Sequence, residues 1–320
     1  MRRRRVLALG AGLVALAAGC GTEGGPRRPA AARFSMVVAG PYGGGADRLG
    51  RFIKGDAEQA ALVAGLDVVN RPDRTALGEF VGPRPPGRLL IAEPAMIATM
   101  PGGRRAGAFA GTTPLARLCG EWELLVVPAG SRLRSFDAFA DVLRRDPARL
   151  VLAGRAAGGV DHMLFGLLAE SLGVDPRLLR YAPHSSTGQA VAALAAGRVA
   201  AVVAGRAGLG ARLRAGDLRV LAVSAPHRLG GVDAPTLLEC DVHLYYADWR
   251  ALIGTGRLPA ADQDALTRMC REITSSARWR RMCRHNGWSP IYLDGEDFRQ
   301  WLRVECARLG RVLDDLGARA

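Results

Sequence analysis

A short apolar run that breaks into glycines and restarts as a helix constrains this chain most. Met36–Ala39 is apolar, Gly40-Pro41-Tyr42 interrupts it, and Gly43-Gly44-Gly45 opens a new segment. In that segment Ala46, Leu49, Phe52 and Ile53 recur at helical spacing. In a strand, glycine turn and helix the backbone can approach a ligand closely, because glycine carries no Cβ. The first N–H groups of the helix lack intrahelical partners and carry partial positive charge, so the turn favours anions. Phosphate and carboxylate satisfy that preference equally, and a plain turn with no ligand has the same pattern. The glycines are not followed by the Lys-Ser/Thr of a P-loop, and the spacing is not the G-x-G-x-x-G of a dinucleotide fold.

The beat continues along the chain. Leu66–Asn70, Arg88–Ala92 and Trp122–Val127 read as strands, and a loop with three prolines spans Gly82–Gly87. Ser135 caps a helix with Phe136, Phe139, Ala140 and Leu143 on one face. Leu150–Gly154 is a strand ending in a second glycine turn, Ala156–Gly159, after which Asp161 is placed as the cap of a helix over His162–Leu172. Arg180-Tyr181 is a short strand before Pro183–Gly188, whose hydroxyls precede the apolar helix Gln189–Ala196. Val199–Ala204 and Leu218–Ser224 are strands joined through Gly205–Gly216. Pro235–Glu239 is a turn and short helix, and Trp249–Gly254 reads as a strand returning to the first unit. Helices follow over Pro259–Ser276, Ala277–His285 and Phe298–Gly317. Alternating strands and helices give an α/β fold with doubly wound, mainly parallel sheets.

The N-terminus predicts export. Arg2–Arg5 is a positive start, Val6–Ala18 an uncharged apolar run, and Leu16–Cys20 ends in small residues before a cysteine. The run is too short to span a membrane. It resembles a bacterial lipoprotein signal with Cys20 as the lipidated residue; Arg3-Arg4-Arg5 also fits a twin-arginine signal. Gly21–Ala32 is a flexible tether, and the mature protein is expected outside the cytoplasm, held to the outer face of the cell membrane. Net charge is +14, and removing those four arginines leaves +10. Lys54 is the only lysine, and no basic stripe with interleaved aromatics appears, so nucleic-acid binding is not expected. Five cysteines remain, an odd number, and Cys270 with Cys283 is the candidate disulfide. Cys283-Arg284-His285 has no second ligand pair at zinc spacing, so no metal or cofactor is expected. Neither G-x-S-x-G nor H-E-x-x-H is present, and Ser185-Ser186 beside His184 cannot face it as a triad requires; an enzyme is not expected.

The motifs, taken in order, resemble one family: the substrate receptors of tripartite tricarboxylate transporters, the Bug-type periplasmic binding proteins. The resemblance runs from about Met36 to Gly317. It rests on P-x-G-G-G-x-D-x-x-x-R (Pro41–Arg51), V-V-N-R-P (Val68–Pro72) and AAGGVDH (Ala156–His162). The Tyr181 segment, A-G-x-L-R-x-L-A-V-S (Ala215–Ser224), His227-Arg228, P-T-L-x-E (Pro235–Glu239) and Trp249 complete it.

The resemblance implies two α/β lobes of periplasmic-binding-protein type, joined by crossing strands, with one small carboxylate closed between them. Residues 33–126 and 251–320 form lobe 1 and 127–250 lobe 2, after a signal peptide over 1–19 and a tether over 20–32. It implies a first cradle of Tyr42, Gly43, Gly44, Gly45 and Asp47, and a second of Gly158, Gly159, His162, Ser185, Ser186 and Thr187. It also implies membrane permease subunits as partners, and the receptor is expected to act as a monomer. A ligand sensor for a membrane kinase and an orphan lipoprotein with a degenerate cleft are the alternatives. Asp73-Arg74-Thr75 departs from the family's usual N-R-P-G-A continuation, and Ala200 stands where an aspartate is common. Arg155 and Arg206 directly follow strands at positions usually small in the family. Ligands of open α/β sheets sit beyond the carboxyl ends of strands, so each arginine is a candidate bidentate partner for a ligand carboxylate. Trp249 is expected to pack at the hinge.

Overall fold

The computed structural model describes residues 32–71, 77, 80, 87–256 and 258–317. The export signal, Cys20, most of the tether and Asp73-Arg74-Thr75 lie outside the described residues.

The first lobe is built on three parallel strands, β1 (Arg33–Ala39), β2 (Gly65–Arg71) and β3 (Arg88–Ala92), with β1 in the middle. Helix α1 (Gly45–Gln59) returns the chain from β1 to β2 and buries Ala46, Leu49 and Ile53 of the predicted stripe together with Ala57, while Phe52 is half-buried against Trp279. Strand β4 (Thr113–Pro128) then runs for 16 residues.

The second lobe repeats the plan. Helix α2 (Phe136–Arg145) starts at Ser135, whose Oγ accepts the Ala138 amide. Strands β5 (Val151–Gly154), β6 (Arg180–Pro183) and β7 (Ala201–Gly205) are parallel, with β5 in the middle. They are linked by α3 (Val160–Ser171), α4 (Thr187–Ala195) and, beyond β7, α5 (Arg206–Arg214). Strand β8 (Leu218–Val223) closes that lobe and β9 (Ala247–Gly254) returns to the first. Helices α6 (Ala260–Ser275) and α7 (Ala277–Asn286), the two-residue strand β10 (Leu293–Asp294) and α8 (Gly295–Asp315) finish the chain.

The lobes share β4. Its first part, Thr113–Trp122, pairs antiparallel with β9, which itself pairs with β3. Its second part pairs with β7 over Glu123–Val126 and with β8 over Leu124–Pro128, so one strand passes from one sheet into the other. Trp249 on β9 is fully buried at this junction. Its indole Nε1 donates to Glu305 Oε1 at 3.3 Å, and its ring packs edge-on against Phe109 and Trp301.

Three features differ from the sequence expectation. Helix α5 occupies what reads as a connection, because its Gly-, Ala- and Arg-rich sequence buries only Leu209 and so has no apolar stripe. β4 begins nine residues before Trp122; Pro114 and Gly120 break the alternation that would mark it, yet Thr113–Gly120 pairs with β9. The expected Cys270–Cys283 disulfide is absent: both are free, buried thiols. Cys270 lies near Tyr292 and Asp294, and Cys283 near Cys119, so the two sulfurs face different neighbours across one apolar core. Burial pushes their thiols up, to about 12 for Cys270 and about 11 for Cys283.

Candidate functional site

Two glycine turns face one another. In the first, Gly44 N–H donates to Pro41 O at 3.1 Å, and Gly43 sits between them at φ 77°. That is a conformation glycine adopts without strain. In the second, Gly159 N–H donates to Ala156 O at 2.9 Å, with Gly158 at φ 69°. Gly44 and Gly159 are the extended residues preceding α1 and α3. Close approach is built in: a Cβ on Gly159 would lie 2.8 Å from Ala156 O, and one on Gly44 3.0 Å from Pro41 O.

Between the two helix starts lies a cavity of about 370 Å³. Gly44, Gly45 and Asp47 line it from one side, and Gly159 and Val160 from the other. Its charged lining comes from Glu93 just after β3, Arg155 just after β5, and Asp248 and Arg250 on β9. The volume suits one small metabolite.

Side chains hold each turn. Asp47 is buried and accepts from Gly43 N–H at 2.8 Å, Asn70 Nδ2 at 2.9 Å and Arg51 Nε at 2.9 Å. Burial would raise its carboxyl, but the bonds from Arg51, Gly43 and Asn70 outweigh burial and hold it below the ordinary aspartate range. Asp161 is equally buried and accepts from Arg155 N–H at 2.6 Å and Arg155 Nη2 at 2.8 Å. It sits in the first turn of α3, with Gly159 in the capping position where the sequence had suggested Asp161. His162 Nδ1 accepts from Gly158 N–H at 3.0 Å, its ring stacks on Tyr181 at 4.1 Å, and burial lowers its pKa to about 4.

Of the other residues singled out in the sequence, Arg155 lines the cavity and the rest lie outside its lining. Gly43 and Gly158 shape the turns from behind the lining. Tyr42 is 78% exposed at the rim, with the Arg51 guanidinium 4.4 Å over its ring. Ser185 and Ser186 precede α4; Ser186 Oγ caps it by accepting from Gln189 N–H at 3.3 Å, and Ser185 Oγ donates to Gln189 Oε1 at 2.8 Å. Thr187 opens α4 and lies against Gly208 of α5. Arg155 lines the cavity, whereas Arg206 is the first residue of α5 and donates to Gly230 O at 2.7 Å, apart from the lining.

Glu93, Asp248, Arg250 and Glu123 are the residues the sequence reading passed over. Glu93 follows β3 as Arg155 follows β5, so the strand-end rule that selects Arg155 also selects Glu93. Asp248 and Arg250 flank Trp249, and the period of two in a strand turns both to the cleft while Trp249 faces the core. Arg250 Nε donates to Glu93 Oε1 at 3.0 Å and Nη2 to Asp248 Oδ2 at 3.4 Å, and its guanidinium lies 4.8 Å over the Trp288 ring. Burial pushes the Glu93 carboxyl up despite Arg250, and burial together with Asp161 pushes the Glu123 carboxyl well up.

The comparisons fit this geometry. No curated protein matches the sequence. Solved structures share the fold, three of them as follows. One, a solute-binding protein from Polaromonas without ligand, has a TM-score of 0.73 at 20% identity, covering 88% of this chain and 98% of that one. A protein of R. palustris with adipate gives 0.68 at 22% identity, covering 89% and 97%. MatC of Rhodopseudomonas palustris, with bound malate, gives 0.62 at 19% identity with the same coverage. The model of the family described as "Tripartite tricarboxylate transporter family receptor" matches residues 108–318, which begin after the first glycine turn and include the second. The chain belongs to the family of tripartite tricarboxylate transporter receptors, extracytoplasmic solute-binding proteins of the TctC type.

Proposed function

We propose that this receptor closes its lobes around one small carboxylate-bearing metabolite and hands it, as a monomer, to the permease subunits of a tripartite tricarboxylate transporter. One observation carries the reading: α1 and α3 both begin on the same cavity, at glycine turns that leave their first N–H groups facing it. A carboxylate between them takes hydrogen bonds from both lobes, so its binding favours the closed state, and the closed state is what a permease recognises. The adipate and malate in two structural neighbours agree with that chemistry. Arg2–Arg5, the apolar run after them and Cys20 support export and a lipid anchor on the outer face of the membrane.

A thermal-shift screen of mono-, di- and tricarboxylates and amino acids tests the reading. A ligand at 100 times its dissociation constant adds about 2.7 kcal/mol to stability, enough to raise the melting temperature measurably. A screen in which no carboxylate-bearing compound raises it removes the reading. Radiolabelled palmitate incorporation that survives Cys20→Ser removes the anchor alone.

A further inference from the structure

The floor of the cleft holds more carboxylates than cations. Among the described residues Arg155 and Arg250 are its two guanidiniums; around them stand Glu93 and Asp248 in the cavity lining, with Glu123 and Asp161 behind it. Both cations are already engaged by the protein. Arg155 Nη2 lies 2.8 Å from Asp161 and 3.9 Å from both Glu123 and Asp248. Arg250 joins Glu93 to Asp248. With its four carboxyls ionised the floor carries an excess of two negative charges; burial pushes Glu93 and Glu123 toward the neutral form, and an ammonium brought against them favours the ionised one. A dicarboxylate would place its second charge against that surface.

Two buried atoms on the crossing strands lack any hydrogen-bond partner among the described residues. One is a donor, Nη1 of Arg250, a cavity-lining residue that is 6% exposed; the other is Oε2 of Glu123, which is 1% exposed and accepts when the carboxyl is ionised. Unpaired buried polar groups are costly, so each points to a missing partner. The Arg250 guanidinium touches the start of α1: a Cβ on Gly45 would lie 3.2 Å from Nη2. An anion held at that helix start therefore also meets Arg250, while the groups behind it are carboxylates.

We infer that the cleft takes a small zwitterion, with its carboxylate at the starts of α1 and α3 beside Arg250 and its ammonium on the carboxylates of the floor. The inference rests on the carboxylate-receptor reading and adds the second, cationic group. Glu93 and Asp248 set the preference, because both line the cavity and neither has a guanidinium to itself.

Calorimetric titration of the full chain with matched pairs tests this. Succinate, glutarate and adipate are compared with 4-aminobutyrate, 5-aminopentanoate and 6-aminohexanoate, with glutamate as an α-amino acid and pentylamine as a cation alone. At least one zwitterion should bind about tenfold or more tighter than every dicarboxylate, a difference of about 1.4 kcal/mol. A dicarboxylate that binds as tightly as the best zwitterion overturns the inference and leaves the carboxylate reading standing. Pentylamine binding as tightly as 5-aminopentanoate, or no binding by any probe, overturns both. Asp248→Asn and Glu93→Gln should each lower the zwitterion-to-dicarboxylate affinity ratio about tenfold. A ratio unchanged in folded variants overturns the inference, and the wild-type panel decides alone if they fail to fold.

Discussion

Asp47 and His162 hold matching positions on opposite walls of the cleft. Each lies four residues after a glycine of positive φ, and each accepts that glycine's N–H: Gly43 to Asp47 Oδ2 at 2.8 Å, Gly158 to His162 Nδ1 at 3.0 Å. The backbone problem is the same at both turns, namely a turn N–H that needs an acceptor. A carboxylate solves it in one lobe and a neutral imidazole in the other. His162 is thus a positioning residue for the second glycine turn.

That role gives His162 a pH signature. An unfolded histidine takes a proton near pH 6.5, whereas burial delays the folded one to about 4. Protons therefore favour the unfolded chain as pH falls through that window, and stability should drop by on the order of 3 kcal/mol from pH 7 to pH 4, then level off. Denaturant unfolding across that range measures the drop. His162→Gln keeps an acceptor for Gly158 and cannot titrate, so it should lose this part of the slope; an unchanged slope would remove His162 as its source.

Glu123 should act in the opposite direction. Burial and Asp161 keep its carboxyl protonated to a pH well above the ordinary value of 4.5. Above that value the unfolded glutamate ionises first, so rising pH favours unfolding until the folded carboxyl ionises too. Glu123→Gln removes the term, and its melting temperature relative to wild type should rise between pH 5 and pH 8. A constant difference across that range would show that Glu123 is ionised in the folded protein.

The junction of the lobes depends on the Trp249–Glu305 contact. Glu305→Ala leaves the buried indole N–H without its acceptor and should cost about 1–3 kcal/mol. Glu305→Gln keeps the acceptor and should cost less. Denaturant midpoints of the two variants check the order, and equal losses would assign the effect to the Arg308 ion pair on the same carboxylate instead.

Arg155 and Arg206, alike in sequence context, should behave differently. Arg155→Ala strips the buried Asp161 of its cation. Because the Arg155 side chain is 39% exposed, the expected loss is about 1–3 kcal/mol rather than the larger cost of a fully buried pair. It should also weaken binding at the cavity it lines by about tenfold. Arg206→Ala releases only the exposed Gly230 carbonyl and should change stability by less than about 0.5 kcal/mol, with binding unaffected. Chemical denaturation and calorimetry of both variants read the contrast.

The walls of this site were legible in the sequence, and its floor was not. Gly44, Gly45 and Gly159 announce themselves because a glycine turn between a strand and a helix has few other uses. Periodicity located α1, α2 and α8 because each buries one apolar stripe. The floor depends on register instead. Glu121 faces Asp248 and Trp122 faces Ala247 only because β4 pairs antiparallel with β9, more than a hundred residues away. Irregularities in that pairing shift the register twice, and only the first, at Pro114, coincides with a residue that interrupts a strand. Single charges scattered through an arginine-rich chain look alike until such pairing gathers them.

The crossover within β4 has a mechanical consequence. The passage from one sheet to the other falls between Trp122 and Glu123, inside a continuous strand rather than in a loop, and the charged floor sits at that passage. A rotation about this axle would move the two glycine turns relative to one another, since they extend from different sheets. Glu123, Asp248 and Arg250, on the crossing strands, would stay near the axle, while Arg155 and Asp161 would swing with the second turn. If the lobes close as proposed, a ligand would meet the charges of Asp248 and Arg250 at any degree of closure, and its length would be read only as the two turns approach.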